Sequence, residues 1–201
     1  MGTTAPGSRI TLIVLATVLV GPIGCALRVA PAPATVRRVA VLPPSDVTGV
    51  PLSPSSASAG PYDAPSQSLA AALASTARDE IARQGFEIVD ARVVEMATKG
   101  PVPSSPEAAA QFARSAKPDA TALFMRVRRR EFPYPTMRTN EVIVSLDAML
   151  VDPPTGQVMW QVRRPANPVR LYGELIAGQA DAVAAQEVMK EVFATLGQRS
   201  R

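Results

Sequence analysis

The densest group of charges in the sequence is the stretch 126–130, which reads Arg-Val-Arg-Arg-Arg. As a β-strand, this stretch would place Arg126, Arg128 and Arg130 on one face, because side chains alternate along a strand. A guanidinium group binds a carboxylate or a phosphate through paired hydrogen bonds. The three arginines are therefore a candidate binding site for an anionic surface or an acidic partner.

A second interpretation of these arginines stays open. Such a face is also typical of side chains that are solvated or paired with carboxylates on the next strand, such as Glu141 or Asp147. Binding of nucleic acid is not expected, because aromatic residues make up only 4% of the chain and bases would find few rings to stack on. The formal net charge is +4, and because the start of the chain signals export, as described below, anionic lipid or cell-wall polymer is the expected counter-charge.

The residue types that are missing exclude most kinds of active site. The chain has no histidine, and its one cysteine is Cys25. Triads with a histidine base, zinc sites built from histidine or cysteine, and disulfides within the chain are therefore excluded. Carboxylate, lysine, tyrosine or serine–lysine chemistry remains, and a hydrolase or transferase that uses carboxylates such as Asp147 and Glu174 is the alternative to a binding protein. We expect no catalytic residue, no metal site and no cofactor.

The first 24 residues have the pattern of a signal peptide. A short polar segment with one positive charge, Arg9, precedes the apolar run 10–20. This run is about half of the ~20 residues that a permanent membrane helix needs, so a retained helical anchor is not expected. Cleavage at the small-x-small sequence 32–34 is the alternative, and it would release a soluble protein.

The end of the leader, residues 21–25 (Gly-Pro-Ile-Gly-Cys), resembles the lipobox of bacterial lipoproteins. In that family a small residue precedes a cysteine that becomes the N-terminus and carries fatty-acyl chains such as palmitate. The last two residues fit the motif, whereas Pro22 and Ile23 differ from its usual residues. The resemblance implies lipid attachment at Cys25. Ala26, in the place of an aspartate, implies the outer membrane, with the protein facing the periplasm.

The rest of the sequence fits a tether followed by one domain. Residues 25–36 contain prolines among small residues and would lift the domain off the lipid. Residues 37–201 are enough for a single hydrophobic core. Between 45 and 68 the chain is rich in Ser, Pro, Gly and Ala. This loop is either mobile or a binding element that presents Tyr62 and Asp63.

Hydrophobic periodicity predicts the elements of this domain. Period-two alternation indicates strands, whereas apolar spacing by four, Ser105-Pro106 at a helix start and Gly85 after a helix end indicate helices. The early strand–helix–strand order predicts parallel pairing, and the later strands predict an antiparallel meander. The fold class is therefore α/β, a single domain with one mixed sheet covered by helices. The predicted strands are 39–42, 86–89, 119–132, 141–151 and 157–163; the predicted helices are 69–84, 105–116 and 177–197, with one or two helical turns at 91–98.

The segment 152–156 should reverse the chain between the last two predicted strands. Gly156 supplies the positive φ that the turn needs, and Asp152 should cap the turn through its own backbone. Trp160 follows on the returning strand. We expect it to anchor the core, and a ligand platform is the other possibility.

Four segments carry a wider resemblance: Val39–Pro44 (VAVLPP), Gly85–Val89 (GFEIV), Lys117–Ala120 (KPDA) and Leu150–Trp160 (LVDPPTGQVMW). They resemble bacterial envelope lipoproteins, namely the Neisseria-type lipoproteins of unknown function and, more distantly, the curli secretion lipoprotein and the lipoprotein activator of penicillin-binding protein. The resemblance implies an anticodon-binding-domain-like α/β sandwich. It also implies a non-catalytic role as a binding or assembly component of the envelope, with an envelope protein or further copies of the chain as the partner. It implies no active-site residue.

Overall fold

The elements alternate between strand and helix at first and end in an antiparallel meander. A computed structural model describes Pro33 and residues 35–48, 68–99, 101–132 and 138–197. The strands are β1 (Arg38–Val41), β2 (Ser45–Asp46), β3 (Glu87–Ile88), β4 (Thr121–Glu131), β5 (Arg138–Val151), β6 (Val158–Arg164) and β7 (Pro168–Ile176). The helices are α1 (Leu69–Arg83), α2 (Ala91–Thr98), α3 (Pro106–Ala116) and α4 (Ala177–Phe193).

One sheet contains all of these strands, in the order β3-β1-β4-β5-β6. Strand β1 pairs in parallel with β3 and β4, whereas β4, β5 and β6 are antiparallel. The short β2 pairs in parallel with β4, and β7 pairs antiparallel with β5. Since Leu146 faces Arg164 and Ile143 faces Pro168, β6 and β7 follow one another along the same side of β5. The mixed sheet and the α/β class are as predicted.

Two hydrophobic clusters lie on opposite faces of the sheet. Helices α1 and α4 cover one side, the α1/α4 face, and α2 and α3 cover part of the other, the α2/α3 face. Alternation along β5 decides which side chain enters which cluster. Residues that point to the α1/α4 face are the buried Val142, Val144, Leu146, Ala148 and Leu150, and those in the α2/α3 cluster are Met149 and Val151.

Each of the first three helices begins at a residue whose side chain caps it. Ser68 accepts a hydrogen bond from Ala71 N at 3.2 Å, and Asp90 accepts one from Arg92 N at 2.7 Å. These bonds satisfy backbone N–H groups that have no partner within the helix. At α3, Ser105 is the cap and proline stands in the first turn, as predicted.

The turn between β5 and β6 matches the prediction for Gly156, whereas the Asp152 carboxylate accepts from the Thr155 side chain and not, as predicted, from its own backbone. Gly156 has φ +71°, and Thr155 Oγ1 donates to Asp152 Oδ2 at 2.6 Å. Trp160 is 3% exposed and stacks on Phe193 of α4, with ring centroids 6.0 Å apart. Trp160 is therefore a core anchor.

Two strands were not predicted. Strand β2 lies inside the predicted loop 45–68, where Ser45 Oγ donates to Met125 O at 3.3 Å. Strand β7 was not predicted because Pro168 and Gly173 interrupt its alternation and Pro165 lies shortly before it. Helix α4 ends at Phe193 and not at residue 197. No helix in the described ranges is long and apolar enough to cross a membrane.

Candidate interaction surface

A β-bulge in β4 decides where the arginines of 126–130 point. Arg126 faces Asp147 and Val127 faces Leu146, but the next pair is Arg129 with Ser145. Arg128 is therefore an extra residue, and an extra residue shifts the alternation of all that follow. Arg129 takes the α2/α3 face, and Arg130 turns to the α1/α4 face. The prediction that Arg126, Arg128 and Arg130 share one face is thus wrong for Arg130.

Arg130 is part of a buried ion pair beneath α4. Its Nη2 lies 2.5 Å from Asp181 Oδ2 and its Nε donates to Asp181 Oδ1 at 3.1 Å. The side chains are 10% and 2% exposed. Burial raises the pKa of the Asp181 carboxyl, and the hydrogen bond and charge of Arg130 oppose that rise. Arg130 is therefore a structural residue and no part of an exposed binding site.

Asp147 holds two arginines on the α2/α3 face. Its side chain is 5% exposed, and its two oxygens accept from Arg128 Nη1 at 3.3 Å and from Arg163 Nε at 3.0 Å. Pairing of the arginines with Asp147 was one of the two predicted interpretations, and it is confirmed for Arg128. Asp147 thus binds one guanidinium group from each neighbouring strand, Arg128 of β4 and Arg163 of β6, and orients both.

Five arginines share the α2/α3 face beyond the helices, and we call this surface the arginine face. Helices α2 and α3 pack on β1, β4 and β5. Exposure of the side chains rises towards β7, from 42% for Arg128 and 52% for Arg129 to 57% for Arg163 and 89% for Arg170. The arginine face consists of Arg126, Arg128, Arg129, Arg163 and Arg170, and the carboxylates beside them are Asp147, Glu131 and Glu141. Positive charge therefore exceeds negative charge on this surface.

Arg126 marks the end of the arginine face nearest the helices. Its Nη2 donates to Ser104 O at 3.1 Å, and its guanidinium lies over the Phe124 ring at 5.4 Å from the centroid. Contact with an aromatic ring and a carbonyl orients a cation without neutralising it. Arg126 therefore presents a fixed positive charge.

At the other edge of the sheet, beside β3, carboxylates surround an arginine. There Arg38 lies 2.6 Å from Glu87 and 2.5 Å from Asp119, so two carboxylates surround one cation. The hydrogen bond to Glu87, followed by that to Asp119, raises the pKa of Arg38. An excess of positive charge is therefore a property of the arginine face and not of both edges.

The predicted carboxylate chemistry finds no support in this geometry. Both oxygens of Asp147 accept hydrogen bonds from arginines, and the side chain of Glu174 lies outside the described residues. No group of three or more His, Cys, Asp or Glu side chains that could hold a metal occurs in the part that the structure describes. The guanidinium groups of this surface belong to a class of groups that bind carboxylates and phosphates. The other predicted sites, Cys25, Tyr62 and Asp63, also lie outside the described residues.

Arg129, Arg163 and Arg170 were missed as members of the surface. Arg163 could have been predicted from the sequence, because an antiparallel pair of strands that turns at 152–156 places Asp147 opposite residues 162 and 163. An irregularity between Leu150 and Val151 then sets the register that pairs Asp147 with Arg163. For Arg170 there was no signal, because β7 was not predicted.

The chain is similar to known proteins in structure. No protein-family model and no curated protein matches the chain. A PelC dodecamer variant from Paraburkholderia phytofirmans has a TM-score of 0.48 at 18% identity, covering 85% of this chain and 94% of that one. Lipoprotein GNA1162 from Neisseria meningitidis has 0.47 at 15%, covering 80% and 97%.

The C-terminal domain of LpoB from Salmonella enterica has a TM-score of 0.40 at 14% identity, covering 70% of this chain and 85% of that one. The similar structures thus include a Neisseria lipoprotein, the group that the sequence motifs resemble.

Proposed function

We propose that the protein is a non-catalytic, lipid-anchored component of the bacterial envelope that binds an envelope protein through the arginine face. The observation that carries this proposal is the set of arginines that share one uncovered sheet face, four of them at least 42% exposed. Guanidinium groups recognise carboxylates with directed hydrogen bonds. The anchor would be Cys25 at the end of the leader.

The buried carboxylates support binding over catalysis. A general acid or base needs a proton that can be exchanged with a substrate. Asp147 and Asp181 are each held by arginine, and their side chains are 5% and 2% exposed. Both are supports for neighbouring cations, and neither offers an oxygen to a reacting group.

Lipidation at Cys25 is the first test of the anchor. The intact mass of the protein extracted from membranes should equal a chain that begins at Cys25 and carries diacylglycerol. Cys25→Ala should block this maturation and leave the leader attached, because processing depends on the modified cysteine. A native N-terminus at Thr35 in a soluble periplasmic fraction would contradict lipidation.

Removal of exposed charge tests the arginine face. Arg129→Gln combined with Arg170→Gln should hardly change the melting temperature, since exposed ion pairs contribute little to stability. Affinity isolation from cross-linked envelopes, with quantitative mass spectrometry, should show the co-isolated envelope proteins reduced several-fold. Wild-type association should also weaken with salt, because charges in water are screened within about 8–10 Å.

The matched control is Arg83→Gln on helix α1. Arg83 is also an exposed arginine, 66% exposed and paired with Glu80, but it lies away from the arginine face. The control should retain the wild-type companions. If the double variant retains them too, at both low and high salt, the arginine face does not bind the partner.

A further inference from the structure

In the part of the chain that the structure describes, strand β6 lies at an open edge of the sheet. The described strand order ends at β6, and no described strand pairs with its outer side. Every residue of an extended strand offers backbone N–H and C=O groups, and those on an open edge can pair with another chain. Val158–Arg164 contains neither proline nor glycine, and its pairing with β5 is regular from Trp160 to Arg164, after an irregularity at Met159.

The side chains along β6 differ between its two faces. On the α2/α3 face Gln161 is exposed and Arg163 is 57% exposed. On the α1/α4 face Trp160 and Val162 join the apolar cluster. An added strand would place its own residues about 4.5–5.5 Å from these side chains on each face.

The positive charge of Arg163 determines which kind of strand can pair with the edge of β6. Arg163 gives its Nε to Asp147, which uses one of the five donors of a guanidinium group. A second copy of β6 paired on this edge would bring another Arg163 to the same face, and like charges across a strand pair are destabilising. A carboxylate in that position would instead form a charge-assisted hydrogen bond.

We propose that β6 binds an extended segment of a partner protein by strand addition. Acidic residues on one face of the segment pair with Arg163, and apolar residues on the other face pack beside Trp160 and Val162. This inference rests on the function proposed above, because it names the chemistry of the partner. Strand addition supplies backbone hydrogen bonds, and the alternating side chains supply specificity.

The experiment uses the detergent-solubilised full-length protein and a fluorescent decapeptide that alternates glutamate with valine, with binding followed by anisotropy. Two further versions of the peptide carry N-methyl groups on alternate residues, one on the glutamates and one on the valines. Only one set of N–H groups can face β6, so one methylated version should lose binding and the other should retain it. Decaglutamate of the same length should bind more weakly than the alternating peptide.

On the protein, Arg163→Gln should raise the Kd of the alternating peptide about tenfold, as expected for loss of one charge-assisted hydrogen bond. Arg83→Gln on α1 is the control and should leave the Kd within about twofold, because Arg83 is an exposed charge that lies away from the edge and from the arginine face. Arg128 still holds Asp147 in the Arg163 variant. If that variant fails to fold, the methylated peptides decide the question on the wild-type protein.

Equal binding of decaglutamate and of all three alternating peptides would overturn strand addition and show attraction by charge alone. Binding to phosphatidylglycerol vesicles, with none to the peptides, would overturn it in favour of a lipid surface. Both results are measured with peptides or vesicles and are independent of the affinity isolation that tests Arg129 and Arg170. Failure of the edge and failure of the arginine face are therefore distinguishable.

Discussion

Replacing Asp181 by alanine should lower the free energy of unfolding by about 3–5 kcal/mol, as measured by urea denaturation with far-UV circular dichroism at pH 7. The change leaves Arg130, which is 10% exposed, without its carboxylate beneath α4. A buried cation that has lost its partner carries the full cost of leaving water. The matched control is Glu131→Ala, which removes the exposed carboxylate partner of Arg129 and should hardly change stability.

Replacing both members of the pair should behave differently. Arg130→Met combined with Asp181→Leu should match the wild type or exceed it, because apolar side chains of similar volume avoid the cost of burying two charges. The raised pKa of Asp181 points the same way, since it shows that burial outweighs the attraction of Arg130. A double variant as unstable as Asp181→Ala would contradict this explanation and assign the loss to packing alone.

The same pair predicts a dependence on pH. The folded pKa of Asp181 is raised, so its contribution to stability is fully present below the unfolded pKa of about 3.9 and is lost as the pH rises through the folded pKa. The wild type should therefore lose free energy of unfolding relative to the Met/Leu double variant as the pH rises through that range. Measuring the free energy of unfolding of both proteins over the same pH range isolates the effect of Asp181, because all other carboxyl groups are common to both.

The predictable part of the fold is the part that local chemistry controls. Ser105 followed by proline set the start of α3, and the alternation along β5 identified its buried residues before any pairing was known. Both signals act within a few residues of the chain. The α/β class followed from the order of these elements.

The site was only partly predictable because it depends on register. Arg130 has the same sequence spacing from Arg128 as Arg128 has from Arg126, and nothing local marks the bulge that separates them. The bulge depends on how β4 lies against β5, a long-range property. Arg170 belongs to the surface because it lies on β7, in which Pro168 and Gly173 obscure the strand pattern and which is held in the sheet by pairing with β5.

Trp160→Ala should cost about 3–5 kcal/mol, the range for truncating a large aromatic side chain in a core. Trp160 is 3% exposed, faces Leu150 on β5 and stacks on Phe193 of α4. Alanine would leave a cavity between the sheet and the C-terminal helix. The measurement is urea denaturation followed by far-UV circular dichroism, because Trp160 is the single tryptophan and its fluorescence disappears in the variant.

Two further variants test whether the loss of stability comes from the aromatic ring of Trp160 and not from any substitution on β6. Trp160→Phe keeps an aromatic contact with Phe193 and removes an indole Nε1 that has no hydrogen-bond partner among the described residues, so it should cost less than Trp160→Ala. Val158→Ala, at a 41% exposed position of the same strand, should change stability little. A Trp160→Ala protein as stable as the Val158→Ala protein would show that the ring does not anchor the core, and a ligand platform would then be the better explanation for it.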